Sequence, residues 1–240
     1  MKRLKWFAWV ALCLSSPAYG QAAPPLEFGS PEQTARVFPR SQLQPDGDVP
    51  RFMAELLERA NIAWRGSLYP ARRLMRNLQS GETQISLLVK NPLLSECCLY
   101  SKASFWQDDL RVYWLGDKTA ITSHDDLKGK SVIGLAGFSY GGLTAYLQNP
   151  ANAIDYNTAD SHEAAFAMLR AGRADYALDY AQPAEQEALA DAPLTNLHHA
   201  TIDVLKVHLV INKSTPRAQA ILDKLESLHA ERRARDRAEP

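Results

Sequence analysis

Cysteine is scarce in this sequence, and neither sign of charge is in excess. The 240 residues include three Cys, and 27 Lys and Arg stand against 27 Asp and Glu. Without a basic excess, nothing indicates nucleic acid or an anionic membrane surface as a partner. The six His are scattered, and the adjacent pair His198-His199 would point to opposite faces of a strand. We therefore predict no metal site, no cofactor and no nucleic-acid partner.

The sequence also lacks an apolar run long enough to span a membrane as a helix. The run nearest the N-terminus, residues 6–14, follows a basic head at residues 2–5 and precedes Ala18-Tyr19-Gly20. This order is typical of a secretory signal peptide. We predict that residues 1–20 are a signal peptide and that the mature protein is periplasmic. A retained anchor and an ordinary buried helix are the alternatives.

Cleavage after Gly20 removes three basic residues and no acid, so 24 basic residues stand against 27 acidic ones, a formal charge of −3. It leaves Cys97 and Cys98 as the remaining cysteines, and they are adjacent. Neighbouring cysteines bridge only through a strained eight-membered ring, so two thiols, a vicinal disulfide and an intermolecular bridge stay open. Packed apolar side chains are the simplest interpretation.

Strands and helices alternate along the rest of the chain, which favours α/β layers with mostly parallel strands. Apolar runs predict strands at residues 26–29, 85–89, 110–115, 131–136, 174–178 and 204–211. Helical spacing predicts helices at residues 51–60, 70–78 and 142–148, one capped by Asp160 with Glu163, and one from Thr215. We expect the charged tail at residues 231–240 to fray.

Five segments follow one another in a specific order: LQSGETQISLLV, CLYSKASFW, SHDDLKGKSVIGLAGFSYGG, AGRADYALDY and LVINKSTPRAQAILDKL. In this order the chain resembles the family 3 extracellular solute-binding proteins, the polar-amino-acid type with the type II periplasmic binding fold. The resemblance implies two α/β lobes, each a mostly parallel sheet flanked by helices, joined by a hinge with a double crossover. Lobe 1 would comprise residues 24–108 and 202–240, and lobe 2 residues 109–201.

The resemblance also implies a function. We expect a monomer that binds a small polar or zwitterionic, amino-acid-like solute by cleft closure, for delivery to an inner-membrane ABC permease or a sensor. One feature departs from the family. Its amino-acid binders hold the ligand carboxylate with an Arg about seven residues before a Phe-Ser segment, and Leu94 stands at that position, with Lys90 nearby. Whether the cleft still binds amino acids therefore stays open.

The loop at residues 137–142, GFSYGG, is the first candidate for the binding site. A strand that leads into a helix there would present backbone N–H groups and the positive end of the helix dipole to an anion. The ligand-binding candidates in it are Gly137, Ser139 and Tyr140. A tight turn whose glycines serve only steric needs is the alternative.

Three further residues complete the predicted site. Arg72, in the first turn of a helix, has a planar guanidinium suited to a carboxylate, unless it is simply solvated. Asp179, at the carboxyl end of a strand, would accept a ligand ammonium, unless it is a helix cap or a surface acid. Trp106 would supply a stacking wall, although most aromatic side chains are core.

Two other functions stay open. An enzyme on the same fold, similar to the periplasmic cyclohexadienyl dehydratases, would need an acid in the cleft to protonate a leaving hydroxyl. Glu82, Glu96 and Asp179 are candidates for that acid. A degenerate relative that has lost its ligand and acts as a non-transport interaction protein is the second alternative.

Overall fold

The computed structural model describes residues 24–31, 48–181 and 196–238, so the predicted signal peptide lies outside the described residues. The described strands are β1 Leu26–Pro31, β2 Trp64–Tyr69, β3 Ile85–Val89, β4 Cys98–Tyr100, β5 Trp106–Leu115, β6 Ser131–Leu135, β7 Asp155–Ala159, β8 Tyr176–Tyr180 and β9 Leu197–Asn212. The described helices are α1 Asp48–Arg59, α2 Ala71–Ser80, α3 Leu143–Leu147, α4 His162–Arg170 and α5 Ala218–Ala238.

These strands form one sheet in the order β2-β1-β3-β9-β5-β8-β6-β7, and β4 pairs with β9. The strands β2, β1 and β3 are parallel to one another, as are β8, β6 and β7. The long strands β5 and β9 run antiparallel to each other and to their other neighbours. The sheet therefore consists of two parallel sets joined by a pair of long strands, as expected for two α/β lobes.

Each parallel set has its own hydrophobic core. In the first lobe, which we define by β1–β4 with α1, α2 and α5, the apolar faces of α1 and α5 bury Leu56, Leu57 and Leu222 against the sheet. In the second lobe, defined by β6–β8 with α3 and α4, Val132 and Leu178 lie at the centre of another core. Full burial of each such side chain contributes about 1.5–3 kcal/mol. The predicted boundaries between the lobes stay a prediction.

Two local predictions are wrong. The helix α4 is capped by Ser161, whose Oγ accepts a hydrogen bond from the Ala164 N–H at 3.1 Å, and not by Asp160. The tail does not fray before Ala238, because α5 packs against α1 and Arg59 pairs with Glu231 at 3.4 Å. Within the described ranges, no helix combines the length and the apolar character needed to cross a membrane.

Candidate ligand-binding cleft

A cavity of about 110 Å³ lies between the two lobes. It is placed at the carboxyl ends of β1, β3, β6 and β8, where open α/β sheets bind their ligands. The first lobe contributes Leu74 and Met75 from α2 and Leu88 from β3, and the second contributes Phe138 and Tyr180. A cavity with walls from both lobes is arranged so that a bound molecule contacts both at once.

The predicted glycine loop forms one edge of this cavity and touches the opposite lobe. Gly137 has a φ of +85°, and a Cβ added there would lie 2.9 Å from Arg72 Cγ and 3.2 Å from Arg72 N. A side chain at position 137 would therefore collide with the first turn of α2, and the backbone conformation itself favours glycine. The approach of the loop to α2 closes this side of the cavity.

The structure brings four of the six predicted site residues to the cavity or its rim. Gly137, Ser139 and Trp106 line it. Arg72 lies at the rim, where its backbone and Cγ face Gly137 while the residue as a whole is exposed. Because α3 has only five residues, its dipole adds less to anion binding than the sequence suggests. The Gly137 and Ser139 N–H groups donate no hydrogen bond within the described part of the chain.

Tyr140 points into the core of the second lobe and does not line the cavity. Its side chain is 1% exposed. The hydroxyl accepts a hydrogen bond from the Leu135 N–H at 2.6 Å and donates one to the Leu178 carbonyl at 3.2 Å. Burial raises the pKa of Tyr140 well above its usual value. Tyr140 therefore fixes the loop to the sheet, and only its neighbours meet the cavity.

Asp179 is fully buried and bonded within the second lobe. Its carboxylate oxygens lie 2.7 and 2.9 Å from Nδ1 of His162, and it accepts a hydrogen bond from the Tyr180 N–H at 2.7 Å. Burial raises the pKa of Asp179, while the bond to His162 acts in the opposite direction. In this conformation Asp179 holds His162, and its contact with a ligand ammonium stays a prediction.

The carboxylate that does line the cavity, Asp108, is absent from the sequence-based candidates. It lies two residues after Trp106 on β5, so the two side chains share one face of the strand. Burial, followed by the charges of Asp109 and Asp179, raises the pKa of Asp108 to about 6. The alternation of residues 106, 108 and 110 was the available signal, but the predicted strand began only at Leu110.

The chemistry available at the cavity follows from its lining residues. Among the described residues, no group of three His, Cys, Asp or Glu side chains could hold a metal ion. Glu82 and Glu96, two acids considered for the enzymatic alternative, are exposed and lie outside the described cavity lining. What the cavity offers is apolar wall, backbone N–H groups, the Ser139 hydroxyl and the Asp108 carboxyl.

The fold and the cleft define a two-lobed protein with the type II periplasmic binding fold. No family model and no curated protein matches the sequence. Among solved structures, a histidine kinase sensor domain similar to periplasmic binding proteins matches with a TM-score of 0.72. The two share 14% identity, and the match covers 89% of this chain and 92% of that one.

Two further solved structures match over similar lengths. The substrate-binding protein of an amino acid ABC transporter has a TM-score of 0.69 and 12% identity, covering 89% of this chain and 95% of that one. Holo ArgBP from T. maritima has a TM-score of 0.68 and 15% identity, covering 87% of this chain and 90% of that one. At such low identity, these likenesses show the fold.

Proposed function

We propose that this protein reversibly captures a small polar, amino-acid-like solute in the periplasm by closing its two lobes around it. The observation that carries the proposal is the cavity between the lobes, to which Leu74 and Phe138 contribute from opposite sides. A ligand that contacts both walls stabilises the closed arrangement over any open one. No bond needs to be made or broken for this function.

The polar groups at the cavity suggest how such a ligand would be oriented. A carboxylate or another acceptor would meet the N–H groups of Gly137 and Ser139, with Arg72 assisting from the rim. An amino group would lie toward the carboxylates of the second lobe and of β5. The solved structures of similar fold support both expected outputs, because one belongs to an amino acid ABC transporter and another to a sensor kinase. We accordingly propose an ABC permease or a sensor as the partner.

Ligand identification tests the proposal most directly. The purified protein is analysed by native mass spectrometry for a copurified small molecule, and its Tm is recorded against amino acids, amines, alcohols and carboxylates. A ligand at one hundred times its Kd adds about 2.7 kcal/mol to the free energy of unfolding. For a chain of this size that raises Tm by roughly 5–10 °C. A flat response to the whole panel, with no copurified molecule, would favour a degenerate interaction protein instead.

One observation favours a second, enzymatic candidate. A carboxyl with a pKa near 6 in an apolar cleft has a property of a general acid. A cyclohexadienyl dehydratase-like reaction would use such an acid to protonate a leaving hydroxyl. Incubation with prephenate or arogenate, followed by absorbance of an aromatic product, separates this candidate from simple capture. Product that forms in the wild type and is lost in Asp108→Asn would establish the enzyme.

A further inference from the structure

The cavity wall carries a carboxylate, Asp108, to which the fold contributes one backbone hydrogen bond, from Asp109, and no ion pair among the described residues. Asp108 lies on β5 opposite Leu205 of β9, and its neighbours on the cavity wall include Trp106, Val207 and Val89. The two valine side chains offer no hydrogen-bond donor, Trp106 offers only its indole N–H, and none of the three carries a positive charge. A carboxylate placed on an apolar wall loses hydration that must be replaced by another group.

No described cation replaces that hydration. Asp108 forms no ion pair within the described part of the chain, whereas the adjacent Asp109 lies 3.6 Å from Arg111. Arg111 acts on Asp108 only as a more distant favourable charge. The cavity-lining carboxylate and the ion-paired carboxylate are therefore consecutive residues on opposite faces of one strand.

The surrounding charges oppose the ionised form of Asp108 rather than support it. The negative charge of Asp109, although on the other face of the strand, and that of Asp179 on β8 both act against ionisation of Asp108, and the phenol of Tyr180 is close enough to sense its charge. Its partner on β9, Leu205, is uncharged. A cation that entered the cavity would relieve both the lost hydration and this repulsion, which is a property of binding sites and not of structural acids.

We propose that Asp108 is the counter-ion for a positively charged group of the ligand, so that the cleft selects a small cationic solute with an apolar body. The inference rests on the proposed capture function and specifies its ligand class. The cation would lie against the Asp108 carboxylate, and the apolar body would pack on Trp106, Leu74 and Phe138. The cavity of about 110 Å³ is somewhat smaller than the ~150 Å³ apolar cavity that holds benzene. The preferred body is therefore short.

Four compounds of nearly equal size test the charge requirement by titration calorimetry. They are 3-methylbutylamine, L-valine, 3-methylbutan-1-ol and 3-methylbutanoate. Wild-type protein should bind the amine, or L-valine, at least tenfold more tightly than the alcohol or the carboxylate. Asp108→Asn, which keeps the shape of the side chain, should lose at least tenfold in affinity for the cationic compound. Asp109→Asn is the matched control and should bind as the wild type does.

The pH dependence gives a second readout. Asp108 protonates near pH 6, and an alkylammonium stays charged throughout this range. Affinity of the wild type for the amine should therefore rise about tenfold from pH 5 to pH 7, and the profile of Asp108→Asn should be flat. Circular dichroism of each variant confirms that the fold is retained.

The possible failures are distinguishable. If no compound of the broad metabolite panel binds, the capture function itself fails. If the wild type prefers a ligand without positive charge, or if Asp108→Asn binds a cationic ligand as tightly as the wild type, capture stands and the role of Asp108 is overturned. A loss in Asp109→Asn equal to that in Asp108→Asn would also overturn it, because a general change of surface charge would then explain both.

Discussion

The wall of the cleft and the interior of the second lobe each hold a carboxylate whose pKa is raised by burial, but only one of them is paired. Asp179 is bonded to His162 at 2.7 Å, whereas Asp108 faces the cavity without an ion pair in the described residues. Removing a buried acid from its partner destabilises the lobe that holds the pair, whereas a buried acid without an ion pair is available to a cationic ligand. The partner His162 therefore distinguishes the structural role of Asp179 from the ligand-binding role proposed for Asp108.

The largest expected effect comes from breaking the paired carboxylate. Asp179→Ala removes one member of a buried pair and leaves the ring of His162 without its carboxylate. This should lower the free energy of unfolding by about 3–5 kcal/mol, measured by urea denaturation at pH 7.

The control for this change is Asp175→Ala, which removes an exposed acid that pairs with Lys118. It should cost no more than about 1 kcal/mol, because surface ion pairs contribute little. The sequence predicts instead that Asp179→Ala weakens ligand binding and leaves unfolding almost unchanged. If the variant unfolds like the wild type, the hypothesis that Asp179 contacts the ligand is favoured, and the proposed structural difference between Asp179 and Asp108 is wrong.

The contact between the lobes is tested next, by Gly137→Ala. The added Cβ would meet Arg72 Cγ at 2.9 Å and should hold the lobes apart, so affinity for the ligand should fall at least tenfold. Gly172→Ala is the matched control, because Gly172 also has a positive φ, of +66°, but nothing within 4 Å of the added Cβ. Both should lose about 1 kcal/mol of stability from backbone strain. Equal affinities in the two variants would show that the loop does not govern closure.

The third effect concerns stability at Asp108. Its pKa in the folded protein is raised to about 6 from 3.8, so the folded state favours the protonated form. The contribution of Asp108 to the free energy of unfolding is therefore most favourable below about pH 4, declines between about pH 4 and 6, and stays at its lowest above that. After allowance for its partial exposure to solvent, Asp108→Asn should be more stable than the wild type by about 1–2 kcal/mol at pH 7. The difference should vanish near pH 3.5 in paired urea denaturations, and a destabilised variant at pH 7 would mean that Asp108 has a structural partner.

The sequence predicts the strands well where most of their residues are buried, and poorly elsewhere. The strand at residues 85–89 has both ends as predicted, because four of its five residues are buried and the apolar run is continuous. The strands β2 and β7 escape prediction because they form the two edges of the sheet, where few residues are buried. The beginnings of β5 and β9 are also missed, and in β5 the polar residues Gln107 and Asp108 interrupt the apolar pattern there.

The same reasoning explains the predictions of the site. The glycine loop can be predicted from the sequence because a positive φ and a close backbone approach both favour glycine at these positions. The roles of Tyr140 and Asp179 are not detectable, because a hydroxyl or carboxylate looks the same whether it meets a ligand or the Leu178 carbonyl or His162. Only the three-dimensional structure shows which hydrogen-bond partner lies near each of these side chains.

The smallest expected effect is at the adjacent cysteines, which lie outside the described lining of the cavity. Their sulfur atoms are 3.4 Å apart and both are free thiols. Cys98 packs in a cluster with Leu74 and Leu78, and burial, together with Cys97, raises its pKa to about 12. It is therefore a neutral, slowly reacting thiol at pH 7.

The double change of Cys97 and Cys98 to Ala should leave ligand affinity within twofold of the wild type and lower the free energy of unfolding by about 1 kcal/mol. Alkylation of the native protein followed by mass spectrometry should modify Cys97 much faster than Cys98, since a thiolate is the reactive form and Cys98 does not ionise at neutral pH. A native mass lower by two hydrogens would contradict the free thiols. A large loss of affinity without loss of fold would mean that the Leu74 side of the cavity depends on these thiols.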